Sequence, residues 1–278
     1  MSDQRFDVQA LFDVRGCTAV ITGGSGQLGR AMAVALAQAG AQVAVLGRHA
    51  QTAQAVATTI QEIGGAALGI ACDVQDRAAL EQSRIEVRSA FGPVDILVNA
   101  AGGNSPAAST SAEQTFFDLD TEAVNQVFGL NVIGTFQSCQ AFARDMLERG
   151  QGSIVNVASM SGVRPLTRVP AYGAAKAAVA NFTQWLAVHM AQEYTPHIRV
   201  NALAPGFFLT EQNRYLLLDA EGKMTTRGQA IISHTPAGRL GLPEDLLGTL
   251  LWLVSPASAF VTGAVIPVDG GFSAFSGV

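Results

Sequence analysis

Short, mostly apolar runs rich in Val, Ile, Leu and Ala recur along the chain at residues 18–22, 42–46, 66–71, 95–99, 153–158, 199–202 and 264–268. Runs that are apolar at consecutive positions, rather than at every second one, predict strands covered on both faces. Between them, residues 28–39, 51–63, 77–91, 122–148, 173–194 and 244–254 place apolar side chains at helical spacing. Boundary residues agree with that division. Gly40 and Gly64 fit C′ positions, Asp76 and Asp120 fit N-caps, and Pro243 fits a first helical turn. Strict alternation of strand and helix predicts an α/β chain: a single-domain, Rossmann-type, doubly wound parallel sheet of about seven strands, with helices on both faces. No repeat or linker divides residues 1–278, and residues 1–15 form an N-terminal arm. Two long irregular segments remain, 101–117 and 205–235. Each follows a strand at the carboxyl edge, where open α/β sheets bind ligands, and the second is the expected substrate loop.

The first strand runs into Thr22-Gly23-Gly24-Ser25-Gly26-Gln27-Leu28-Gly29 and then a helix. Glycines at such a turn let the backbone reverse tightly and let a pyrophosphate approach the free N–H groups of the helix N-terminus. Farther along, Tyr172 and Lys176 lie four residues apart on one helical face, and Ser159 stands thirteen residues before Tyr172, after a strand. A lysine ammonium beside a phenol favours the phenolate, so the pair can move a proton near neutral pH, where a free tyrosine with a pKa of about 10 cannot. A serine hydroxyl close by can hold a carbonyl or alcohol oxygen.

These motifs, in this order from about residue 16 onward, resemble the short-chain dehydrogenases/reductases. Thr22, Gly23 and Gly29 match that family's cofactor turn, with Gln27 in place of its middle glycine. Asp73, followed by Val74, matches an acid that contacts the adenine. Asn99-Ala100-Ala101-Gly102 resembles the turn beneath the cofactor, and Pro205-Gly206 with Thr210 resembles the segment beside the nicotinamide. Asn131, Ser159, Tyr172 and Lys176 match the catalytic tetrad. The resemblance implies a nicotinamide cofactor held by these segments together with Gly24, Ser25, Leu28, Tyr172 and Lys176. It also implies that Lys176 binds the nicotinamide ribose, that Ser159 binds the reacting oxygen, and that Asn131 holds a water linking the lysine to solvent. Ser161, two residues beyond Ser159, is at the wrong offset for the catalytic role and suits a loop hydrogen bond. After the second strand stands Gly47-Arg48, with no acid to bind ribose hydroxyls, so Arg48 is expected to meet a 2′-phosphate and NADP(H) is favoured over NAD(H).

Composition narrows the rest. With 49% apolar and 14% charged residues the chain is globular, and a net charge of −5 without a basic run argues against nucleic acid or a polybasic membrane patch. Apolar segments are interrupted before spanning length, and residues 1–13 lack the pattern of a signal peptide, so a cytoplasmic protein is expected. Cys17, Cys72 and Cys139 are widely spaced and read as buried small hydrophobes in a reducing compartment. The four histidines show no metal or triad spacing, and no metal is expected.

For the substrate, the loop Gly103-Asn104-Ser105-Pro106 and the amide-rich stretch 206–214 suit a polyhydroxylated acid. Within the family these stretches, with residues 269–278, resemble the short-chain-type D-mannonate oxidoreductases, or fructuronate reductases, which implies interconversion of D-mannonate and D-fructuronate. Another sugar or polyol dehydrogenase, such as a gluconate 5-dehydrogenase, is the alternative. A dinucleotide-binding sensor without catalysis would be expected to lose Tyr172 or Lys176, and both are present. Asn104 and Ser159 are expected at the substrate, and Arg214, then Arg164, then Arg168, are the candidates for its carboxylate. The apolar, glycine-rich segment 261–278 predicts a surface that a partner copy covers, and a homotetramer is expected.

Overall fold

The computed structural model describes residues 7–210 and 214–277. Seven strands form one parallel sheet: β1 (Thr18–Thr22), β2 (Gln42–Gly47), β3 (Ala67–Ala71), β4 (Ile96–Asn99), β5 (Gly152–Val157), β6 (Ile198–Pro205) and β7 (Val265–Val268), in the order β3-β2-β1-β4-β5-β6-β7. The order reverses between β1 and β4, which are paired from Ala19 with Ile96 to Thr22 with Asn99. A crevice opens beyond the carboxyl ends of strands at such a switch point.

Helices α1 (Gln27–Gln38), α2 (Ala50–Glu62), α3 (Arg77–Phe91), α4 (Thr121–Phe128), α5 (Gly134–Arg149), α6 (Pro170–Glu193), α7 (Thr226–Ser233) and α8 (Leu247–Val254) flank the sheet or its edge. Alternate strand residues divide between two cores. Ile21, Val45, Val98 and Val155 pack against Met32, Leu36, Ile60 and Leu250 on one face. On the other face Val20, Leu46, Leu97 and Ile154 pack against Leu80, Phe142, Met146 and Leu186. Burying both faces is why the strands read as unbroken apolar runs.

The caps fall where the residues indicate. Asp76 accepts from the N–H groups of Ala78 and Ala79, and Asp120 from those of Glu122 and Ala123. Gly40 and Gly64 take φ of +94° and +84°. Asp145 is fully buried and accepts from Arg84 at 2.6 Å, Arg88 at 3.1 Å and the Val94 N–H at 3.2 Å, clamping α3 to α5.

Three local differences from the sequence reading bear on the site. The long helix expected over 122–148 is interrupted by a π-turn, Gly129–Ile133, between α4 and α5. Strand β6 runs on through Pro205, well past residue 202. The segment 205–235 is not irregular throughout: it holds a one-turn helix, Arg214–Leu217, and α7, capped by the Thr225 side chain on the Gly228 N–H. Tertiary packing supports these short helices where the periodic signal is too brief to read. Among the described residues no helix is long and apolar enough to cross a membrane.

Candidate active site

The glycine-rich turn is shaped by close approach. Gly23 has φ +64°, and a Cβ there would lie 2.6 Å from the Ala101 Cα, so only glycine lets β1 and β4 end so close together. A Cβ on Gly29 would strike the Gly23 carbonyl. Gln27 needs no such freedom. Gly26 is the N-cap of α1 with ordinary extended angles, and Gln27 is the first helical residue. Its side chain swings away and donates to the Leu209 carbonyl at 3.1 Å, tying the turn to the start of the substrate loop.

This turn opens onto a crevice of about 500 Å³ that continues past Gly47, Arg48 and His49 at the end of β2 and Cys72 and Val74 after β3, to Ala100, Ala101, Gly102, Tyr172 and Lys176. Thr22 and Asn99 support its floor from below. The Thr22 hydroxyl accepts the Ala101 N–H at 3.3 Å. Asn99 is buried and donates to Asn156 at 2.9 Å, and Asn156 donates to Thr183, so a polar chain links β4, β5 and α6.

A second cavity, of about 240 Å³, adjoins the first. Asn104 and Pro106, Ser159 to Ser161, Leu166, Val169, Phe207, Leu216, Leu217 and Arg227 line it. Tyr172 and Thr210 line both spaces. Ser159, as the N-cap of a one-turn helix, accepts from the Ser161 N–H at 3.2 Å and from the Ser161 hydroxyl at 3.0 Å. Burial pushes the Tyr172 phenol up, and its hydrogen bond with Ser159 pulls the other way. One turn on, Lys176 is 3% exposed and donates to the Val157 carbonyl at 2.7 Å, with its Nζ 5.7 Å from the centre of the Tyr172 ring. Burial alone lowers its pKa to about 8. Asn131 sits in the π-turn, fully buried. Its amide donates to the carbonyls of Gly103 and Val127 and accepts the Gly103 N–H, fixing the loop that leaves β4.

The short chain dehydrogenase family model matches residues 17–220, most of the chain. The chain belongs to the short chain dehydrogenase family. An uncharacterized oxidoreductase of Bacillus subtilis, UxuB, is 50% identical over 96% of this chain and 98% of its own. A crystal structure provisionally described as a D-mannonate oxidoreductase of Haemophilus influenzae, with bound NAD, has 43% identity and a TM-score of 0.91, covering 98% of this chain and 100% of the other. A gluconate 5-dehydrogenase of Burkholderia cenocepacia, solved with NADP and tartrate, has 32% identity and a TM-score of 0.85, covering 96% and 98%. The short chain dehydrogenase described here is accordingly an NAD(P)-dependent oxidoreductase acting on alcohol groups.

In this dehydrogenase the residues expected at the cofactor separate into two sets. Gly23, Ser25, Gln27, Leu28, Gly29, Arg48, Val74, Ala100, Ala101, Gly102, Tyr172, Lys176 and Thr210 line the crevice. Thr22, Gly24, Asp73, Asn99 and Pro205 do not. The Gly24 N–H donates to the Leu46 carbonyl, Pro205 is the buried end of β6, and the Asp73 carboxylate accepts the Gln75 N–H at 2.9 Å. Gly206 lies on the second cavity, with Asn104 and Ser159. Arg164, Arg168 and Arg214 are exposed and do not line it, whereas Arg227, which the sequence did not single out, does. The amide-rich residues Glu211, Gln212 and Asn213 lie outside the described residues, and the described walls are more apolar than expected. Ser161 has the hydrogen-bonding role expected of it, but its acceptor is Ser159 itself. Among the described residues no cluster of His, Cys, Asp and Glu could hold a metal ion.

Proposed function

We propose that this chain transfers a hydride between NADP(H) and the secondary alcohol or ketone of a sugar acid, with the D-mannonate/D-fructuronate pair the leading candidate and Tyr172 the proton-transfer residue. The observation that carries the reading is that Tyr172 faces both cavities, flanked by Ser159 on the smaller one and Lys176 on the larger. The crevice fits the cofactor: Gly23 and Gly29 let the turn fold closely onto itself and onto Ala101, and the α1 N-terminus opens onto the crevice.

When bound, the nicotinamide supplies or accepts the hydride. Gly23, Ser25 and Gly26 with the first turn of α1 receive the pyrophosphate, and Arg48 meets a 2′-phosphate. Ser159 holds the reacting oxygen, and Tyr172 gives it a proton in reduction or removes one in oxidation. Lys176, charged below about pH 8 and one helical turn away, favours the phenolate and binds the nicotinamide ribose. The Asn131 side chain fixes the Gly103 loop, and Asn131 is the residue proposed to hold a water that links Lys176 to solvent.

The sugar-acid assignment is supported by the Haemophilus and Burkholderia relatives, one described as acting on D-mannonate and the other on gluconate. The apolar walls contributed by Leu166, Val169, Phe207 and Leu216 favour a second reading, an apolar cyclic alcohol. A panel of D-mannonate, D-gluconate, D-mannitol and cyclohexanol, each with NADP⁺ and with NAD⁺ and followed by nicotinamide absorbance, tests both. The acids are expected to be turned over fastest, with NADP⁺. Turnover of cyclohexanol alone sinks the sugar-acid reading.

A further inference from the structure

Beyond β5 the chain makes one turn of helix, Met160–Val163, with Ser159 as its N-cap. That turn is pressed onto α6. A Cβ on Gly162 would lie 2.6 Å from the Lys176 carbonyl carbon, so glycine is what allows the approach. The turn is thereby fixed against the helix that carries Tyr172 and Lys176.

Within the turn Ser161 is 5% exposed, and among the described residues its hydroxyl has one partner, the Ser159 Oγ. Ser159 receives two donors from this one residue, the backbone N–H at 3.2 Å and the hydroxyl at 3.0 Å. A serine hydroxyl has two lone pairs and one proton. With both lone pairs occupied, Ser159 is left to donate. Its remaining neighbour is the Tyr172 hydroxyl, and both residues line the smaller cavity, where a reacting oxygen would lie. The reverse arrangement, with Ser159 donating to Ser161, would leave the buried Ser161 proton without an acceptor.

We infer that Ser161 is a positioning residue for the reaction: it fills the acceptor side of Ser159 and so aims the Ser159 proton at the reacting oxygen. This rests on the reading of Ser159 and Tyr172 as the groups at that oxygen. A proton already aimed there stabilises an alkoxide as it forms, with no reorientation during hydride transfer. Linked O–H groups also polarise one another, so Ser161 strengthens the bond that Ser159 donates.

The test is a double-mutant cycle on kcat with Ser161→Ala, Ser159→Ala and the double variant. The substrate is whichever of D-mannonate, D-gluconate, D-mannitol and cyclohexanol the wild type oxidises fastest, and NADPH binding by fluorescence shows that each variant is folded. Ser161→Ala keeps the backbone N–H and removes the hydroxyl. Its kcat is expected to fall about 2- to 10-fold with KM nearly unchanged, the range for one hydrogen bond. Ser161→Thr, which keeps the hydroxyl, is expected to restore most of the loss. In the Ser159→Ala background, Ser161→Ala is expected to cost nothing further, because Ser161 acts through Ser159. Wild-type kcat in Ser161→Ala, or equal losses in both backgrounds, overturns the inference and leaves Ser159 and Tyr172 in their roles. Wild-type turnover in Ser159→Ala removes Ser159 from the chemistry, and the inference falls with it. Should none of the four substrates be oxidised, the ionisation of Tyr172 decides, followed as phenolate absorbance against Tyr172→Phe. A donor aimed at the phenolate favours it, so in Ser161→Ala the titration is expected to move up by about 0.3–1 pH unit, with Lys176 untouched. An unmoved titration overturns the inference. If Ser161→Ala does not bind NADPH, Ser161→Cys, a weaker donor of similar size, takes its place under the same criteria.

Discussion

The two cavities that meet at Tyr172 are built in different ways. The larger one is made of strand ends, the glycine turn and one helix N-terminus, and its shape depends on the close packing that Gly23, Gly29 and Gly47 permit against Ala101, Gly23 and Ser25. The smaller one is lined by residues of the segments 104–106, 159–169, 206–210 and 216–217, with Tyr172 and a residue of α7. A site built from backbone and switch-point topology accepts one kind of ligand and tolerates little change, whereas a site built from loop side chains can be respecified without disturbing the sheet. Gln27, reaching from the glycine turn to the Leu209 carbonyl, is a direct tie between the two.

The two cavities share Tyr172, and the largest effect is expected there. Tyr172→Phe keeps the ring and removes the hydroxyl, so turnover is expected to drop about 100- to 10,000-fold, the range for general acid–base groups, while NADPH binding survives. Turnover close to wild type in a folded variant would remove Tyr172 from the chemistry.

A smaller effect probes the buried cation on the cofactor side. The native Lys176 pKa of about 8 lies below the value of about 10.4 expected in the unfolded chain. Below pH 8 both states hold the proton, and the native state bears the full cost of a buried charge. Between the two values the unfolded state binds more protons, so stability from this group rises with pH. The span corresponds to about 3 kcal/mol. Urea unfolding without cofactor at pH 7.5 and pH 9.5 is expected to show part of that rise in the wild type relative to Lys176→Met. Parallel behaviour of the two proteins would refute the depressed pKa.

The smallest effect concerns the rim of the crevice. Arg48 is exposed after β2, and Arg48→Asp exchanges a phosphate partner for an acceptor of ribose hydroxyls. NADP(H) affinity is expected to weaken about 10-fold while NAD(H) is unchanged or improved. A wild type that already prefers NAD(H), with an unresponsive variant, would show that Arg48 reads no phosphate.

The alternation of strands and helices, the caps at Asp76 and Asp120, the glycine turn, and the spacing of Ser159, Tyr172 and Lys176 are all legible in the amino-acid order. These are short-range patterns: an apolar run, a turn residue or a four-residue helical offset carries its geometry within a few positions. Long-range packing is what turns Asn99 down into a polar chain with Asn156 and Thr183, not up to the crevice. The same holds for Asp73, turned onto the Gln75 N–H, and for Asn131, placed by a π-turn that no periodicity announces. It also put Arg227, and not Arg164, Arg168 or Arg214, on the cavity wall. Each of these depends on which segments meet across tens of residues of chain. Such meetings are set by the packing of the whole sheet and its loops, and local propensity carries no record of them.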